Sequence, residues 1–240
     1  MLAALTAAHA ATADAEGIPP AATADASIAQ AEALVALVRQ QQPNGDYRVR
    51  MLVETSTAAT PLGLLIKGSR TSTLHRFDVL ATAPSELRGQ RLRVVASGGE
   101  PLIITAQHDK SAEQALAATA LEAPLFDTDL ELADFLGPQW LWPVTGLLGS
   151  QTLLQHECQI VQLSEATPGT RRLRACVAAD IGLPLLSEQL DANGGVIRRY
   201  RALALTRIGQ RWAVRVFDVE HPQRGSVSRV QLIGAEFDMP

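Results

Sequence analysis

Apolar and polar residues alternate along most of this chain, in short runs broken by turn-forming residues. From Tyr47 the period is two, with Val49, Met51 and Val53 set against Arg48, Arg50 and Glu54, the mark of a strand with one buried face. Further strands are predicted at residues 62–67, 73–80, 90–96 and 101–107, separated by Gly68-Ser69, Pro84-Ser85 and Gly98-Gly99. The pattern resumes at 151–164 and 170–180, then at 185–190, 196–207, 211–220 and 226–235. Connections this short make neighbouring strands antiparallel.

Two stretches follow the helical period instead. Residues 27–42 begin with a capping box, Ser27 with Gln30, carry Ile28, Ala31, Val35 and Val38 as one stripe, and stop at Pro43-Asn44-Gly45. In mid-chain, Ala-rich residues 111–121 and residues 128–136 are predicted as a pair of helices. A sheet of about ten strands tends to curl or close. The expected fold is mainly β, of the α+β kind: a strongly curved antiparallel sheet forming an incomplete half-barrel. The N-terminal helix and a helical lid would cover its concave face. A β-sandwich is the alternative, since alternation alone does not separate the two.

The hairpin formed by 151–164 and 170–180 turns at Glu165-Ala166-Thr167-Pro168-Gly169. Folding it about Thr167 sets Cys158 opposite Cys176, Ile160 opposite Arg174 and Val161 opposite Leu173. Val161, Leu163, Leu173, Ala175 and Val177 then share the apolar face, and the cysteines share the outer, wetted face with Arg172 and Arg174. A Cys158–Cys176 disulfide is expected, as an oxidising compartment permits, with two reduced buried thiols as the alternative. Arg171 and the cluster Arg198, Arg199 and Arg201 also read as solvated outer face. Where a concave face encloses a cavity, the candidate lining is Phe77, Val94, Val161, Leu173, Val177, Trp212, Val214 and Val216.

Composition narrows the function classes. With 240 residues, 47% apolar and 19% charged, the chain can bury a sizeable core, and residues 27–240 are expected to form one domain. Residues 1–26 are Ala- and Thr-rich, with Ala8-His9-Ala10 like a signal-peptidase site, and read as a disordered leader or signal-peptide remnant. A net charge of −4 argues against nucleic acid, and no run approaches the roughly 20 apolar residues of a membrane span. Chemistry is hard to find. His9, His75, His108, His156 and His221 are scattered, and His156 with Cys158 falls short of a zinc set. Asp127, Asp129, Glu131 and Asp134 read as helix-start carboxylates. Neither enzyme activity, a cofactor nor a metal is expected.

Local runs complete the picture. Pro84-Ser85-Glu86-Leu87-Arg88-Gly89 precedes a strand. Pro124-Leu125-Phe126-Asp127-Thr128-Asp129-Leu130-Glu131-Leu132-Ala133-Asp134-Phe135 precedes the tryptophan pair, and Gly182-Leu183-Pro184-Leu185 with Glu188 leads to Asp191 and Gly194. In this order, over residues 28–237, the chain resembles the LolA-like proteins that sort outer-membrane lipoproteins. The family's aromatic strand ending in proline has no counterpart at 102–107, and the cysteine pair is no part of the resemblance. The resemblance implies a half-barrel with a helical lid over a hydrophobic cavity that receives acyl chains. It also implies a carrier passing lipid or lipoprotein from an inner-membrane transporter to an outer-membrane acceptor; the cysteine pair together with the leader favours the periplasm, and a monomer is expected. A sensor of the same fold, detecting mislocalised lipoprotein, is the alternative function.

Overall fold

A computed structural model describes residues 28–56, 60–98, 100–167 and 171–237. The leader over 1–26, the Ser27 cap, Gly99 and the turn residues Pro168 and Gly169 lie outside the described residues.

Helix α1 (Ile28–Gln41) buries Ala31, Leu34, Val35 and Val38, a stripe at helical spacing, while Ile28 is exposed. It leads into a meander of five strands: β1 (Gly45–Thr55), β2 (Leu62–Arg70), β3 (Leu74–Ala83), β4 (Gln90–Ser97) and β5 (Ile103–His108). A short β6 (Gln114–Leu116) adds to the edge. A second set follows: β7 (Val144–Leu153), β8 (His156–Ser164), β9 (Arg172–Ala178), β10 (Leu183–Leu190), β11 (Val196–Ile208), β12 (Arg211–His221) and β13 (Ser226–Phe237). All thirteen join one curved, open antiparallel sheet, ordered β6-β5-β4-β3-β2-β1-β13-β12-β11-β10-β9-β8-β7. The two meanders meet at β1 and β13, from Tyr47 opposite Phe237 to Thr55 opposite Ser228. Bulges on several strands bend the sheet.

That order makes residues 117–143 the connection between the two outer strands, β6 and β7. The segment carries Leu125, Leu130 and Leu132 into a core with Leu64, Ile66, Phe77, Val94, Val219 and Val230. Helix α1 makes a second core with Leu147, Val161, Leu163, Leu173, Ala175 and Val177. These are the two halves of the inner face.

Three local expectations need correction. Residues 111–121 are not a helix: Gln114–Leu116 pairs with β5, and Ala118–Glu122 forms a 3-10 turn. Residues 111–119 are exposed, so alanine's propensity found no packing to support a helix. The second helix, α2 (Leu132–Leu136), starts at Glu131, whose N–H donates to Asp134 at 2.9 Å, and not at Thr128. Residues 151–164 are not one strand: β7 turns into β8 at Leu154 and Gln155, both at positive φ. Hairpin turns of this kind favour Asn and Gly, so neither residue announced it.

The cysteine hairpin is displaced by two residues from the sequence register. Cys158 lies opposite Ala178, Ile160 opposite Cys176, and Leu163 opposite Leu173. An even slip preserves the faces, and Cys158 and Cys176 are disulfide-bonded with Cα atoms 5.2 Å apart. Their face is not wet. Both cysteines are fully buried in a third core with Ile160, Ala178, Leu183 and Leu186. The β11–β12 hairpin bends at bulges around Ala202 and Ala204, and its tip residues Leu205, Trp212 and Val214 pack on this core.

Candidate functional site

Between the two inner cores the sheet is incompletely filled, leaving a cavity of about 240 Å³. The strands contribute Met51, Leu173, Pro184, Tyr200, Phe217 and Val219, and the connecting segment contributes Leu130, Phe135 and Trp140. The Tyr200 and Phe217 rings lie 4.8 Å apart between centroids. Polar groups are few and gathered on one side: Asp134, Gln139, Ser187, Gln189 and Arg198. Burial pushes the Tyr200 phenol up, and nearby Asp134 adds to it.

Arg198 is the pivot of the polar side. The solvated outer face predicted for Arg198, Arg199 and Arg201 is corrected at Arg199, which faces outward but is largely buried in ion pairs with Glu188, itself buried, and Glu220 at 2.9 and 3.1 Å. It does not hold for Arg198, which is 8% exposed and shares the inner face with Tyr200. Arg198 donates to both carboxylate oxygens of Asp134 and to the Asp129 carbonyl at 2.8 Å, and lies 3.5 Å from Glu131. Burial works against its charge, yet Asp134, Glu131 and Asp129 outweigh it and hold the guanidinium above its ordinary value. Asp129 in turn accepts from the hydroxyls of Ser226 and Ser228 on β13. The connecting segment is therefore tied by polar bonds to β11 and β13 beside the cavity.

The acidic run read as helix-start carboxylates is in fact divided. Glu131 and Asp134 do stand at the start of α2, as its N-cap and in its first turn, whereas Asp129 lies before it; all three also belong to the Arg198 network, Asp129 and Glu131 being buried in it. Burial pushes Glu131 up to about 7, helped by Asp134 and Glu122 and opposed by Arg198 and Arg224. His221, 3.7 Å from Glu131, is pushed down by burial and then by Arg198 and Arg224. Behind Arg198 lies a second cavity of about 270 Å³, polar and including Glu122, Glu131, Arg171, His221 and Arg224.

Of the candidate lining residues, Leu173 lines the apolar cavity. Phe77 and Val94 are buried in the core under the connecting segment, and Val161 and Val177 in the core under α1. Trp212 and Val214 pack on the disulfide core instead, and Val216 is half-buried away from the cavity lining. The cavity takes Phe217 and Val219, the opposite phase of β12. The adjacent pair Val216-Phe217 is the sequence signal of that switch, because two neighbouring apolar residues on a strand face opposite sides.

Other polar pairs do not converge into a reactive set. Tyr47 Oη and His75 Nε2 are 2.7 Å apart in the core, the Tyr47 ring occupying the space a side chain on Gly68 would need. Burial, then Arg70, pushes His75 down to about 4. His156 Nδ1 meets Asp180 at 2.6 Å, and neither residue lines the cavity. Among the described residues no group of three His, Cys, Asp or Glu could hold a metal ion, and no helix is long and apolar enough to cross a membrane.

No protein-family model and no curated protein matches the chain. Solved structures do. A DUF1329 family protein from Desulfovibrio piger is 14% identical, with 88% of this chain and 93% of that one covered at a TM-score of 0.77. A domain named for outer membrane lipoprotein sorting, from Vibrio parahaemolyticus, is 10% identical over 87% and 94%, with a TM-score of 0.73. A LolA superfamily protein from Nitrosomonas europaea is 14% identical over 88% and 94%, with a TM-score of 0.65. Likeness at these identities establishes the fold: a LolA-like, incomplete barrel.

Proposed function

We propose that this protein is a periplasmic carrier that shelters an acyl chain of a lipid or lipoprotein in the cavity beneath its connecting segment. The chain would pass between membrane partners without covalent chemistry. The observation that carries the reading is the cavity itself, walled by Met51, Leu130, Phe135, Trp140, Leu173, Phe217 and Val219 and inside a LolA-like fold. Its volume of about 240 Å³ is that of about eight water-sized groups, which suits a segment of one chain and not several. Each buried methylene contributes about 0.8 kcal/mol, so affinity comes from chain length and needs no dedicated polar contact. A longer chain requires the connecting segment to move outward.

Native mass spectrometry of the protein isolated from its own host tests the reading. The expected result is a population carrying an acylated adduct that organic solvent removes. Protein that is bare, and stays bare after incubation with phospholipid vesicles, overturns it.

A further inference from the structure

We infer that the cavity accepts acyl groups carried as uncharged esters or amides and rejects the ionised carboxylate of a free fatty acid. This rests on the acyl-binding reading and adds the chemical class of the ligand. A carboxylate drawn into an apolar site leaves water, and it is tolerated only where a cation or several donors replace its hydration. Among the described residues lining the cavity, Arg198 is the sole cation, and it is already committed. Asp134 occupies both of its terminal nitrogens, the Asp129 carbonyl takes a further bond, and Glu131 stands 3.5 Å away. Its Nε has no hydrogen-bond partner among the described residues, but it is buried and presents no surface to the cavity.

One guanidinium thus faces more than one carboxylate, and the wall offers an incoming anion no unpaired positive charge. The other cations of the neighbouring polar cavity do not line this one: Arg171 is held by Glu122 and Glu165, and Arg224 is exposed to solvent. What remains facing the ligand is neutral: Gln139, Ser187, Gln189 and the Tyr200 phenol. Amides and hydroxyls satisfy a carbonyl oxygen with one hydrogen bond or two, but do not neutralise a charge.

The test titrates the full-length protein, cleared of bound lipid, with 1-monolauroylglycerol and with laurate, each below its micelle concentration at pH 8. Fluorescence of Trp140, in the cavity wall, joins calorimetry as readout. The expected result is monolauroylglycerol binding at least tenfold more tightly. Laurate binding equally well or better overturns the inference and leaves acyl binding intact; failure of both probes overturns acyl binding and the inference with it. Asp134→Asn, which removes a negative charge and keeps the shape, should bring laurate to within about threefold of the glyceride. A folded Asp134→Asn protein with an unchanged preference refutes the electrostatic cause, and if that variant does not fold, the parent titrations decide.

Discussion

Arg198, Arg199 and Arg201 cannot all face one way on a strand, because side chains alternate. Arg199 and Arg201 point outward, while Arg198 turns inward with Tyr200. That parity was legible in the sequence, but its partner was not: Asp134 lies 64 residues away and on a different element. The same network makes Glu131 a titrating group. With a folded value of about 7 against an ordinary 4.5, its unfolded form loses the proton first as pH rises. Its favourable contribution is therefore complete below 4.5 and is lost as pH climbs through 7. His75 acts in the opposite sense, held at about 4 against 6.5, so stability falls as pH drops from 6.5 towards 4. Glu131→Gln should isolate the first effect: denaturant unfolding at pH 5 and pH 8 should show the variant gaining on the parent at the higher pH. A stability difference that does not change between the two values refutes this assignment.

At the scale of elements, strands were easier to read than their ends and turns. Alternation located most of them, yet the β7–β8 turn at Leu154-Gln155 carries no turn residue and stayed hidden inside one apparent strand. The Ala-rich stretch misled in the other direction, since propensity without packing does not hold a helix in water. β12 carries the sharpest lesson: its tip buries Trp212 and Val214 against the disulfide core, and its base turns Phe217 and Val219 to the cavity. Two substitutions separate these roles. Val214→Arg, at a partly buried position packed on the disulfide core, should cost about 1 kcal/mol of stability and leave binding intact. Ser187→Phe, which fills the cavity from β10, should leave the melting temperature within a few degrees while weakening acyl-ester binding at least tenfold. Thermal unfolding and titration on both variants check the division, and it fails if Ser187→Phe binds as the parent does.

For the molecule as a whole, the sheet's curvature and openness followed from the number of strands with one apolar face, whereas the pairing of β1 with β13 did not. Local pattern says which strands exist, and a pair formed between Tyr47 and Phe237 at opposite ends of the described chain leaves no mark in either strand alone. The first strand and the last lie side by side in the middle of the sheet, with β12 and β2 on their far sides. Removing residues 226–240 would leave both β1 and β12 with open hydrogen-bonding edges and strip Val230 from the core. The truncated protein should fail to fold cooperatively and should aggregate, as judged by circular dichroism and size-exclusion chromatography. A soluble truncation with a sharp unfolding transition refutes this. In a chain made from its N-terminus, the half-barrel's seam can close only after β13 has emerged. Until then β1 keeps one unpaired hydrogen-bonding edge, and the two meanders cannot join into a single sheet.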